Sequence, residues 1–190
     1  MTLLRMITRT FRINPEYDKI IGEEAERHGL SVSALLNQII RRYVLITRYT
    51  ESTPSIILPY KLFAKLLEAI PDKDIIEIAE KAGSTLPEEA LLQRGKQIEF
   101  DAINWFLEVV YGQYGNWFDA NQTFMDGQER LHLSHQLNQK WSKFLASYMK
   151  AMFNSTLDIT PKTETRPNST TLYIPNNKKP TLFKNQKTIH

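Results

Sequence analysis

"ITRTFRIN", residues 7–14, alternates polar and apolar side chains and then runs into Pro15. Successive side chains of a strand point to opposite faces. Read as a strand, this stretch puts Thr8, Thr10 and Arg12 on one face and Arg9, Phe11 and Ile13 on the other. One face is then a row of hydrogen-bonding tips. A strand also needs a neighbour for its backbone groups, and no second strand signal lies nearby in the sequence.

Residues 14–48 read as two helices. Asn14 is a helix cap, Pro15 suits the first turn, and Glu16 and Asp18 face the positive end of the helix dipole. Tyr17, Ile20, Ile21, Ala25 and His28 keep helical spacing until Gly29 closes helix A. Ser31 caps helix B, whose Val32, Leu35, Leu36, Ile39, Ile40 and Tyr43 form a stripe running to about Arg48. One strand and two such helices cannot bury these stripes alone, because units under about 40 residues rarely fold without disulfides or metals. A second copy meets the need economically: two strands pair antiparallel across a two-fold axis and four helices close one core.

The run "RTFRINPEYDKIIGEEAERHGLSVSALLNQIIRRYV", residues 9–44, resembles the ribbon-helix-helix family of DNA-binding proteins (Arc, MetJ and CopG types), over about residues 6–45. The matching marks are the alternating strand, the glycine between the helices and the "GLSVSALL" opening of helix B. The resemblance implies an intertwined dimer whose paired strands enter the major groove of double-stranded DNA. It places Thr8, Thr10 and Arg12 against base edges, which suits the Arg12 fork and the threonine hydroxyls. It gives phosphate contacts to Arg9 and to the start of helix B at Ser31, Val32 and Ser33, and a dimer core to Phe11, Ile13, Leu35, Leu36 and Ile39. Arg9 departs from the pattern, since the family usually has an apolar residue there. A one-residue slip in register would move the base-reading set to Arg9 and its neighbours.

"TRYTESTPS", residues 47–55, has the composition of a hinge. Beyond it, "IILP" reads as a short strand. Residues 60–70 read as a helix, and so does a segment from Pro71 that Gly83 stops. "STLPEEA" reads as a loop and possible helix start, and residues 97–114 as a buried helix. The alternating "NWFDANQTF" and "ERLHLSHQL" flank the turn "MDGQ" as a hairpin. "NQKWSKFLASYMKAMF" is an amphipathic helix and "STTLYIP" a last strand. The expected fold class is α+β: an N-terminal ribbon-helix-helix, then a mainly helical α+β domain with a β-hairpin. The expected boundaries are 1–48, a linker at 49–56, a sensor or interaction domain at 57–175 and a mobile basic tail at 176–190.

Charge is unevenly spread. Cations outnumber acids eight to five in residues 1–50 and six to one in 161–190, while acids lead fifteen to ten between them. Basic ends suit a polyanion, and an acidic middle suits protein or a small ligand. No cysteine is present, which removes disulfides, thiolate metal sites and thiol nucleophiles. No run approaches the about 18 apolar residues of a membrane span, so a cytoplasmic chain with no membrane partner is expected. His132 and His135, with Asp119 and Glu129 near in sequence, could offer metal ligands. The strand reading sends the two histidines to opposite faces, so no metal or cofactor is expected. Trp105, Phe106, Trp117, Phe118, Trp141 and Phe144 read as core or as the wall of a ligand pocket. No phosphate loop, nucleophile elbow or paired-carboxylate site occurs, so an enzyme is not expected. The sequence thus points to a homodimeric, sequence-specific DNA-binding transcription regulator with a small-molecule effector or protein partner. An antitoxin, or a dimeric interaction module that binds no DNA, are its alternatives.

Overall fold

The computed structural model describes residues 7–50, 56–125 and 128–175, and the chain divides into two compact units between Arg48 and Tyr49. In the first unit, α1 (Pro15–Arg27) begins where Asn14 Oδ1 accepts the Glu16 N–H at 2.8 Å. It closes at His28, with Gly29 at φ +65°, a left-handed position that glycine occupies without a Cβ clash. The next helix, α2 (Val32–Arg42), starts from Ser31, whose Oγ accepts the Ala34 N–H at 3.2 Å. A π-helical stretch π1 (Tyr43–Thr47) follows, and a short turn α3 (Arg48–Thr50) carries the chain across the boundary into the second unit.

The expected ribbon is corrected here. Residues 7–14 carry no strand and are exposed, and every described strand of the chain lies within residues 119–175. Alternation sets which side a side chain faces, but a strand exists only where neighbouring backbone takes its hydrogen bonds, and no described strand of this chain pairs with residues 7–14. An N-terminal ribbon-helix-helix and its intertwined dimer are therefore not the fold described. Most of the expected linker, residues 51–55, and the expected basic tail, 176–190, lie outside the described residues.

The second unit is a two-layer structure. Its helices are α4 (Tyr60–Ala69), α5 (Asp72–Gln93), α6 (Phe100–Trp105) running into a π-helix π2 (Phe106–Tyr114), and α7 (Gln139–Leu157). Its strands are β1 (Asp119–Met125), β2 (Gln128–Ser134), β3 (Lys162–Arg166) and β4 (Ser169–Pro175), antiparallel throughout in the order β1-β2-β4-β3. Leu131 sits opposite Leu172, and Leu133 opposite Thr170. All four are fully buried and the three leucines join the core shared with the helices, so the helical layer covers this face of the sheet. Thr170 Oγ1, itself buried, donates to the Ser142 carbonyl of α7 at 2.8 Å. The half-buried Arg130, His132 and Ser134 occupy the other face.

The buried residues of α5 are Ile75, Ala79, Gly83, Pro87 and Leu91, a ridge with a strict four-residue step. Such ridges are what one helix packs into another's groove. Gly83 lies inside this 22-residue helix and does not stop it. A Cβ there would fall on the Tyr148 carbonyl oxygen of α7, well inside van der Waals contact. The glycine therefore serves the helix–helix approach. Pro87 likewise sits within the helix, so "STLPEEA" is helical throughout, where a loop and possible helix start was expected. The expected strand at "IILP" is absent: Ile56 and Ile57 are 85% and 96% exposed and belong to no element. "KTETR", for which the sequence pattern predicts no element, is the edge strand β3.

Candidate functional site

The residues expected to meet DNA are all exposed. Thr8, Arg9, Thr10 and Arg12 are exposed and outside any element. Ser31, Val32 and Ser33 are exposed at the start of α2, with the Ser31 hydroxyl already engaged as the cap. Among the expected dimer core, Phe11 is 63% exposed and Ile39 49%, while Leu35 and Leu36 are half-buried. The first unit presents an apolar surface instead. Ile13, Tyr17 and Ile20 on and before α1, and Val32, Ile39 and Tyr43 along α2 and π1, all remain exposed at three-, four- and seven-residue steps. Helical geometry places residues so spaced on one side.

The second unit concentrates its polar chemistry within an aromatic cluster. Tyr111 of π2 stacks on Trp117 at 4.3 Å between ring centroids, and Trp141 stacks on Phe144 of α7 at 4.7 Å. The Trp141 indole N–H donates to the Trp117 carbonyl at 3.0 Å, fixing the turn after π2 to α7. Deep in this cluster the Tyr111 and Tyr148 hydroxyls share a hydrogen bond. Burial raises both phenols, Tyr148 to about 12 and Tyr111 well above its ordinary value. Sequence reading missed this pair: the two tyrosines stand 37 positions apart and nothing local marks them. A cavity of about 470 Å³ opens beside them, walled also by Phe106, Val110, Trp117 and Leu86.

Around this cluster several ionisable groups have structural partners. Asp72, at the start of α5, pairs with Lys143 and, at 3.3 Å, with Lys140 of α7. Those ammonium hydrogen bonds hold its carboxyl below the usual range. His132 Nδ1 faces Thr171 Oγ1 at 3.0 Å across the sheet, and His135 Nε2 faces the buried Ser142 Oγ at 2.9 Å. Burial lowers the His135 imidazole, against an opposing backbone contact from Leu137. Among the described residues no three such side chains are grouped to hold a metal ion, and no helix is long and apolar enough to cross a membrane.

No family model and no curated protein matches this sequence. Among solved structures the chain is similar to trafficking protein particle complex subunit 3 of Naegleria fowleri, crystallised covalently bound to palmitic acid. The match has 12% identity and a TM-score of 0.40, and covers 65% of this chain and 92% of that one. So loose a likeness assigns this chain no activity. The expected DNA-binding transcription regulator, with double-stranded DNA as its partner, is corrected at this point. The ribbon that would enter the groove is absent from the described residues, whose strands all lie within residues 119–175. The antitoxin alternative rested on the same ribbon and falls with it.

Proposed function

We propose that this chain is a non-catalytic protein-interaction module whose first unit supplies the contact surface. The observation that carries this reading is the apolar row on α1 and α2. Tyr17 is 60% exposed, Ile20 56%, Ile39 49% and Ile40 55%, and Ala25 is the one residue buried among those described in that unit. Single exposed apolar residues are ordinary, but a row repeated at helical spacing on two successive helices marks a contact surface. Covering one such isoleucine is worth about 1–2 kcal/mol, so several together favour a partner with a matching apolar face. The cytoplasmic location expected above belongs to the same proposal and is supported by composition alone.

The test compares the full chain with an Ile20→Asp/Ile39→Asp double variant by size-exclusion chromatography with light scattering and mass spectrometry of what co-elutes. The wild type is expected to carry a bound protein, whether a second copy or a different chain, that the double variant loses without a change in the thermal unfolding of the second unit. A wild type that runs at single-chain mass across the concentration range, and binds nothing the variant loses, removes the reading.

A further inference from the structure

The paired phenols Tyr111 and Tyr148 leave one proton unassigned. Each phenol carries a single donor hydrogen, and in their shared hydrogen bond one hydroxyl donates while the other accepts. The accepting hydroxyl therefore still holds its own O–H, and no acceptor for it is found among the described residues. Both side chains are more than nine-tenths buried, at 7% and 1% exposure, and both line the cavity of about 470 Å³. That volume lies within the range of small-molecule sites, about 300–1,000 Å³, which are mostly apolar with a few placed polar groups. The other walls fit this description: Phe106, Val110, Trp117 and Leu86 are apolar, and Glu89, Gln93 and Arg94, with Tyr49 and Thr50, add polar groups to the lining.

We infer that this cavity is a binding site for a flat, largely apolar molecule bearing one carbonyl-type oxygen, which accepts the hydrogen bond that the Tyr111–Tyr148 pair has left over. Aromatic walls favour a planar ring, through offset or edge contacts with Trp117 and Phe106. The buried donor selects for the oxygen, because an apolar ligand of the same shape leaves the O–H without an acceptor in a water-poor place. The site lies wholly in the second unit and is independent of the contact surface proposed for the first.

Isothermal titration of the full chain with 2-acetylnaphthalene, against 2-ethylnaphthalene as the same shape without the oxygen, tests this directly. The ketone is expected to bind about fivefold more tightly, the effect of one net hydrogen bond. In a Tyr111→Phe/Tyr148→Phe variant, which keeps both rings, the two probes are expected to bind alike. Equal affinity of the two probes for the wild type overturns the assignment, as does the absence of saturable binding by either. A preference for the ketone that persists in the double variant overturns the role given to the phenols.

Discussion

The Tyr111–Tyr148 pair gives the second unit a stability that depends on alkaline pH. Folding holds both phenols protonated above their ordinary value of 10.0, Tyr148 to about 12, chiefly through burial. A group whose proton is held more tightly when folded stabilises the fold below its unfolded value and stops doing so as pH rises through its folded value. The melting temperature is therefore expected to fall between pH 10 and about 12 more steeply in the wild type than in Tyr111→Phe/Tyr148→Phe. Equal slopes would show that the phenols titrate normally. Nothing in the sequence announces this pair: Tyr148 is one of several apolar positions on an amphipathic helix, and its partner belongs to a different element. Caps, in contrast, are legible, because Asn14 and Ser31 act on backbone two and three residues away.

Elements were legible where one local interaction settled them and misread where a neighbour did. Gly83 looks like a helix stop to anyone reading along the chain, yet its lack of a side chain is what lets α5 meet the α7 backbone. Gly83→Ala is accordingly expected to destabilise the protein by about 1–3 kcal/mol, the usual cost of forcing atoms into a packed contact, even though alanine is the better helix former. Chemical denaturation read by circular dichroism measures it, and an unchanged or raised midpoint would refute the close approach. Residues 7–14 failed in the opposite direction. Their alternation is a property of side chains, whereas a strand is made by pairing, and no described strand pairs with them. The alternating stretches at 119–125 and 128–134 differ in having each other.

The whole molecule is two units of unequal self-sufficiency. The second has a continuous core from Leu67 and Ile75 to Leu172 and Ile174, while the first buries Ala25 alone among its described residues. A unit with so little buried apolar area has little to offset its chain entropy. Far-ultraviolet circular dichroism on heating the isolated chain is expected to show two steps. The earlier one carries the α1 and α2 signal and moves to higher temperature when a partner covers their apolar face. A single cooperative transition would mean that the units unfold as one. The aromatic cluster decides how such an experiment must be read. All three tryptophans, Trp105, Trp117 and Trp141, lie in the second unit. Emission excited at the red edge of the indole band is therefore blind to the first unit, so a melt followed by tryptophan light alone would report one clean transition whatever α1 and α2 do.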